Sequence, residues 1–337
     1  MSLRLLVLGG TGFLSGEVTR QGLERGWEVT LFNRGATNPD RFPEAFRLRG
    51  DRLAGELSAL ETGTWDVCID ACGYVPRVVR QSCEVLAPRV GHYQFVSSIS
   101  VYGDASIEGM DEQAPVGRLA DPTVESIDGE TYGPLKALCE EACRSVFGSR
   151  ATILRPGLIV GPSDPTDRFT YWPVRCSRGG DVVVPDALEQ PVQIIDVRDL
   201  AAFMLDLAEK PAASTYNATG PASPMTLRTV LEACPLGSAR LWAVSPSFLT
   251  ENGVAPWRDL PLWLPDDSLG MATIDTRRAI AAGLRFRDVG ETVATTLDWW
   301  RALDPPRELK TEIAPEREEQ LLREAQRRGA ARLVWGR

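Results

Sequence analysis

The chain has 337 residues, 43% hydrophobic and 25% charged, with a net charge of −9. That is enough for one large core, or for one domain with a smaller one appended. The negative charge disfavours a general nucleic-acid binder, because phosphate backbones repel it, and no apolar run approaches the roughly 18 residues that a membrane span needs.

Leu3–Leu8 is a short continuous apolar run that runs straight into Gly9-Gly10. It lacks the small-residue cleavage pattern of a signal peptide and reads as a buried central strand. A helix follows from about Leu14 to Arg25, ended by Gly26, and Glu28–Phe32 reads as a second strand. Asp66–Ala71 and His92–Ser97 read as two more, with a helix over Arg77–Leu86 between them and Pro88 just beyond its end. Tyr132–Phe147 is a helix, Thr152–Leu154 a strand closed by Arg155-Pro156-Gly157, Val192–Asp196 a strand and Arg198–Lys210 a helix. Strands alternating with helices imply parallel β-α-β units, hence an α/β doubly wound parallel sheet.

The remaining segments are irregular and rich in Pro, Gly and Trp. The expected organisation is a dinucleotide-binding domain over 1–160, with 191–210 returning to it. A smaller, partly interleaved substrate domain takes 161–190 and 211–305, and a charged, helical C-terminal tail takes 306–337, with Glu316–Arg328 as a solvated helix. The substrate domain is expected over the C-terminal edge of the sheet, where ligands of such folds bind. The seven cysteines show no C-x-x-C pairing, and with one histidine, His92, no metal site is expected. Cys68, Cys72 and Cys176 read as structural thiols, and the protein as cytoplasmic.

Gly9-Gly10-Thr11-Gly12-Phe13-Leu14 lies between the first strand and its helix. Glycine there permits unusual φ/ψ and lets the backbone approach a pyrophosphate, which the free N–H groups of the helix start then face. The G-x-x-G-x-x-G spacing places Ser15 where a third glycine is expected, with Gly16 displaced by one. The second strand ends in Asn33-Arg34 instead of the acidic residue that accepts the ribose hydroxyls of NAD. Arg34 suits the 2′-phosphate of NADP, so NADP is the preferred cofactor and NAD the alternative. Asp51 is a candidate acceptor for the adenine amino group.

Tyr132 and Lys136 stand four residues apart, one turn along a helix face. A free phenol, with a pKa near ~10, is a poor proton carrier at neutral pH. A nearby ammonium stabilises the phenolate, and the tyrosine then takes a proton from an alcohol or returns one to a carbonyl. Lys136 also suits the nicotinamide ribose, and Ser98, past the strand His92–Ser97, suits the reacting oxygen.

With Phe95–Gly103, Arg155-Pro156-Gly157, Gly161-Pro162 and Ile195–Leu200, these residues resemble the extended short-chain dehydrogenase/reductases, the NAD(P)-dependent epimerase/dehydratase family. The resemblance covers about the first 210 residues and implies a Rossmann-type fold. It implies Ser98 as the active-site hydroxyl, Ala71 and Gly73 beside the cofactor, and the backbone after Pro156 near the nicotinamide amide. The opening and the second strand also resemble an atypical branch with isoflavone-reductase-like and chloroplast RNA-binding relatives. Leu158 stands where sugar-nucleotide epimerases usually carry an asparagine that contacts substrate, and Ile99 and Ser100 follow Ser98 where sugar dehydratases carry an acid.

Tyr74, Ser100, Arg168, Tyr171 and Arg175 are the candidate substrate residues, the last three from an aromatic and cationic stretch suited to an anionic or ring-shaped molecule. The expected activity is NADP(H)-dependent hydride transfer at a carbonyl or secondary alcohol of a small polar metabolite. The alternatives are an epimerase or dehydratase of a sugar-like substrate and, in another class, a non-catalytic cofactor-binding regulatory or RNA-associated module. A small molecule is the expected partner, with no nucleic acid, no membrane and a possible homodimer through the Tyr132–Phe147 helix.

Overall fold

The computed structural model describes residues 2–336. In β1 (Arg4–Leu8), Leu5 and Val7 join the core on one face of the sheet and Leu6 and Leu8 the core on the other, all four fully buried. A strand covered on both faces needs that continuous apolar run. α1 (Phe13–Glu24) ends before Gly26, whose φ of +73° is the left-handed geometry glycine supplies after a helix. There follow β2 (Glu28–Asn33), β3 (Phe46–Arg49), β4 (Trp65–Asp70), α2 (Pro76–Leu86), β5 (Val90–Val96), α3 (Tyr132–Phe147) and β6 (Ala151–Pro156). The chain continues through β7 (Leu158–Val160), α4 (Tyr171–Ser177), β8 (Gly180–Pro185), β9 (Ile194–Asp196), α5 (Val197–Glu209) and β10 (Ser214–Ala218). The last elements are α6 (Leu227–Ala233), β11 (Ala239–Val244), α7 (Pro246–Glu251), α8 (Arg277–Ala281), α9 (Val289–Arg301), α10 (Pro315–Arg327) and β12 (Ala331–Trp335).

The central sheet has seven strands in the order β10-β6-β5-β4-β1-β2-β3, every neighbouring pair parallel. α1 and α5 cover one face, and α2 and α3 the other. The α/β doubly wound sheet read from the sequence is therefore present. Strand order reverses between β1 and β4, and a crevice opens there at the strands' C-terminal ends.

Three expectations are corrected. β3 is an additional strand, missed because its Phe-Arg-Leu-Arg alternation is that of a half-exposed edge. β10 lies inside the 211–305 segment expected in the substrate domain, yet it pairs with β6 as the outer strand of the central sheet. Residues 306–336 do not form a solvated tail, and Arg337 lies outside the described residues. Leu321, Leu322 and Ala325 of α10 enter a second core with Trp172, β8 and β11. Glu318 is 4% exposed and accepts from Arg175 at 2.8 Å and from the Val183 N–H at 2.9 Å. β12 then runs antiparallel to β11 in a three-stranded sheet completed by β8.

Two buried ion pairs brace the sheet. Arg155 of β6 forks onto Glu140 of α3 at 2.9 and 2.7 Å, both residues buried. Arg52, leaving β3, forks onto Asp70 at the end of β4 at 2.8 and 2.7 Å. Asp70 is fully buried and also accepts from Tyr93 Oη of β5 at 2.8 Å and from the Cys72 N–H at 3.1 Å. His92 of β5 is paired with Thr152 Oγ1 at 2.7 Å, and burial, aided by Arg150, pulls its imidazole down to about 4.

Removing one member of a buried pair leaves the other charge uncompensated. Arg52→Met should therefore lower the free energy of urea unfolding at neutral pH by about 3–5 kcal/mol. A loss below about 1 kcal/mol, the range of exposed pairs, would contradict this role for the pair.

Candidate active site

A cleft of about 650 Å³ runs along the C-terminal edge of the sheet. Gly9, Thr11, Gly12, Phe13 and Leu14 line one part, Asn33, Arg34 and Asp51 the adenosine end, Ala71 and Tyr74 the middle, and Ser98, Tyr132, Lys136 and Pro156 the far end. The residues singled out for catalysis and for cofactor binding therefore share one cavity, with Gly10 and Gly73 in its supporting backbone.

The glycine turn has the geometry its residues imply. Gly9 and Gly10 sit at φ +104° and +90°, and a Cβ on Gly10 would lie 2.5 Å from Leu31 Cδ2. The irregular third position resolves into a cap: Ser15 Oγ accepts the Gly12 N–H at 3.2 Å and closes the first turn of α1. The segment after β2 is pinned to the turn by Thr11 Oγ1 donating to Thr37 O at 2.8 Å and by Asn38 Nδ2 donating to Thr11 O at 3.2 Å. Asn33, a candidate cofactor residue, lines the cleft and spends its side chain on hydrogen bonds within the protein. Its Nδ2 donates to Gly9 O at 2.6 Å and its Oδ1 accepts the Gly35 N–H at 3.0 Å. Arg34 is exposed, with Asp51 Oδ2 3.9 Å away, and Asp51 Oδ1 accepts the Leu53 N–H at 2.9 Å.

At the catalytic end, Ser98 heads a short helical turn over Ile99–Val101. Its Oγ accepts the Ser100 N–H at 3.1 Å and donates to Ser100 Oγ at 3.0 Å. Gly133 lets α3 start hard against this turn, since a Cβ there would lie 2.0 Å from Ser100 O. This contact brings Tyr132 to Ser98. Burial raises the Tyr132 phenol above its ordinary pKa, while the hydrogen bond with Ser98 and the Arg168 cation act against that rise. Lys136 is 3% exposed and donates to Gly73 O at 2.7 Å and Val96 O at 2.5 Å. An ammonium has three donors, so one remains for a ligand in the cleft. Burial pulls this ammonium down to about 8.

The substrate candidates divide. Tyr74 is 44% exposed in the cleft, its ring centroid 6.5 Å from that of Tyr132. Arg168 lies over the Trp257 ring at 5.3 Å and acts electrostatically on Tyr132. Ser100 borders a smaller adjoining cavity with Tyr132. Tyr171 and Arg175 are corrected. Tyr171 is fully buried and packs edge-on against Trp172 at 4.8 Å, while Arg175 is held by Glu318, Gly179 O and Asp181 O. An aromatic and cationic stretch satisfies a core and its ion pairs as readily as a ligand.

Cys72 and Ser97 are among the cleft residues that were missed. Cys72, expected to be a structural thiol, is the one exposed cysteine among the described residues, and its side chain lies between Leu8 O at 3.2 Å and Arg52 Nη1 at 3.3 Å. Ser97 is buried against the cleft with no partner for its hydroxyl. The Ser97-Ser98 doublet was a signal for it, but only Ser98 drew attention. The glycine cradle, the orphaned Ser97 hydroxyl and the spare Lys136 donor together fit a dinucleotide ending in a nicotinamide riboside.

Residues 75–219 match the model of the NAD dependent epimerase/dehydratase family. That segment belongs to the family. It carries Ser98, Tyr132 and Lys136, and it bears out the enzyme class read from the sequence, an NAD(P)-dependent enzyme of extended short-chain dehydrogenase/reductase type. A chloroplast stem-loop binding protein of 41 kDa from Arabidopsis thaliana is 26% identical over 234 residues, 64% of this chain. The matched part spans 58% of that relative's length. Among solved structures, the Bordetella bronchiseptica enzyme WbmH in complex with NAD+ aligns over 90% of this chain and 99% of its own, at 15% identity and a TM-score of 0.64. UDP-N-acetylglucosamine 4-epimerase from Bacillus cereus aligns over 88% and 99%, at 14% identity and a TM-score of 0.63. At these identities the solved structures establish the shared fold. No helix among the described residues is long and apolar enough to cross a membrane.

Two outcomes follow from this geometry. Lys136 binds a proton more weakly when folded, near 8, than at its ordinary 10.5, so the unfolded chain carries more protons between those values and stability rises with pH there. In urea unfolding across that window, the wild type should gain up to about 3 kcal/mol relative to Lys136→Met. Parallel slopes would contradict the buried ammonium. Asn33→Asp exchanges the donor to Gly9 O for an oxygen and sets a carboxylate beside Arg34, so it should weaken binding of both NADH and NADPH, NADPH the more, measured by fluorescence titration. A selective gain for NADH would contradict the bracing role of Asn33.

Proposed function

We propose that this protein moves hydride between bound NADP and a carbonyl or secondary-alcohol carbon of a small polar substrate, with Tyr132 as the proton carrier. The observation that carries the reading is the convergence of Ser98, Tyr132 and Lys136 at one end of a cleft whose other end is the glycine turn. Bound nicotinamide supplies the hydride acceptor or donor. In the oxidising direction Tyr132 Oη takes the hydroxyl proton of the substrate. Ser98 Oγ turns from Ser100 to donate to the same oxygen. The Arg168 cation favours the phenolate electrostatically, acting against the burial that opposes it, and the free donor of Lys136 suits the nicotinamide ribose. In the reducing direction Tyr132 returns the proton. Tyr74 and Arg168 flank the substrate, with Arg168 suited to an anionic group.

The preference for NADP is supported by Arg34 at the end of β2 and by an Asn33 that offers no carboxylate to a ribose. Family membership supports a second reading, in which the same hydride step is transient and serves epimerisation or dehydration of a sugar-like molecule. Leu158 in place of asparagine, and Ile99 and Ser100 beside Ser98, favour the net redox reaction over nucleotide-sugar chemistry. The relative named for stem-loop binding brings RNA into view, but a chain of net charge −9 favours a small-molecule partner.

The test pairs NADP+ or NADPH with a panel of alcohols, aldehydes and sugars. Net change in reduced-nicotinamide absorbance is expected with one of them, whereas product isomerisation without net cofactor change would favour the epimerase reading. Tyr132→Phe should lower turnover by about 10²- to 10⁴-fold, with NADPH affinity little changed. Full activity in this variant would overturn the assignment.

A further inference from the structure

We propose that Arg49 is the second cation of a 2′-phosphate pocket and shares with Arg34 the discrimination of NADP from NAD, a role that rests on the NADP reading above. Arg49 ends β3 directly opposite Asn33, its register partner on β2. Its Nη1 approaches Asn33 Oδ1 at 3.3 Å, the oxygen that also accepts the Gly35 N–H. The guanidinium thereby lies across Gly35, so closely that a Cβ at that position would fall 1.3 Å from Nη1. Gly35 has a φ of +76° and no side chain, so the backbone beside Arg34 leaves room for a second guanidinium from the neighbouring strand.

The corner carries an excess of positive charge. The chain carries more acidic than basic residues, 46 against 37, and its arginines are heavily paired with carboxylates. Arg49 nonetheless has no carboxylate within 4.0 Å among the described residues, and Arg34 has only Asp51, at 3.9 Å. One guanidinium with a single distant carboxylate and a second with none leave positive charge for a dianion, and a guanidinium fork matches phosphate oxygens. The phosphate concerned is the monoester on the adenosine 2′-oxygen, because this corner adjoins the adenosine end of the cleft, beyond the glycine turn that suits the pyrophosphate. Asn33 acts as the brace, orienting Arg49 through Oδ1 while its Nδ2 holds the glycine turn.

The test measures binding of 2′,5′-ADP, 5′-ADP and inorganic phosphate by calorimetry to the wild type, Arg49→Met, Arg49→Lys and Arg34→Met. The wild type should prefer 2′,5′-ADP to 5′-ADP. Arg49→Met should lose about 10- to 100-fold of 2′,5′-ADP affinity, the effect of one charge-assisted hydrogen bond. It should keep its 5′-ADP affinity, which also certifies its fold, and Arg49→Lys should recover part of the loss. If Arg34→Met loses the preference and Arg49→Met retains it, Arg49 is not part of the pocket and the NADP reading stands. If the wild type binds the two nucleotides equally, the NADP reading fails and the pocket with it. If inorganic phosphate alone competes as strongly as 2′,5′-ADP, the corner is a free-anion site and the proposal is overturned.

Discussion

A guanidinium from the exit of β3 and a carboxylate at the end of β4 meet in two hydrogen bonds beneath the cleft, and the elements around them converge on that pair. Arg52 also donates to Ser82 of α2, and Asp70 accepts from Tyr93 of β5 and from the Cys72 backbone. Four separate segments are thus drawn to the place where strand order reverses. Burying two charges is costly unless nearly every lone pair and proton finds a partner, and here the two forks and three neighbours supply them. The pair also sets the level of the cleft floor. Gly73 O, three residues beyond Asp70, is one of the two carbonyls holding Lys136, and Lys136 in turn sits one turn below Tyr132.

The motifs of the chain divide between chemistry and carpentry. Tyr132, Lys136 and Ser98 face the cleft. Arg155 of the Arg-Pro-Gly run instead clamps Glu140, fixing α3 to the sheet and so fixing Tyr132 at its start. Asp196 of the Ile195–Leu200 run caps α5 through the Arg198 N–H and accepts from Thr292 of α9. Gly133 belongs to neither group alone: its missing side chain is a packing requirement whose result is that α3, and Tyr132 with it, starts against the turn headed by Ser98.

The central elements were legible because their signals are local. A run such as Leu5–Leu8, a Gly26 after a helix or a Pro88 just past a helix end acts within a few residues. The glycine turn and the Tyr132/Lys136 spacing share that property. What escaped depends on distant partners. β8, β11 and β12 form a sheet only by joining segments separated by many residues, and β3 is a four-residue edge with half its side chains in solvent. Arg175 and Tyr171 had the composition of a ligand site, but Glu318, 143 residues away, and Trp172 decide their surroundings. Cys72 differs from its buried counterparts by its place just past a strand end, which the cysteine count does not reveal.

The neutral, buried state of His92 has a consequence for the proton inventory of the molecule. Most proteins hold several imidazoles whose titration near neutrality blurs any site-specific signal. This chain has one, and burial removes it from that range. On the mildly alkaline side, the Lys136 ammonium at about 8 is left to titrate in the cleft itself. Proton exchange just above neutral pH therefore includes a contribution from inside the cleft.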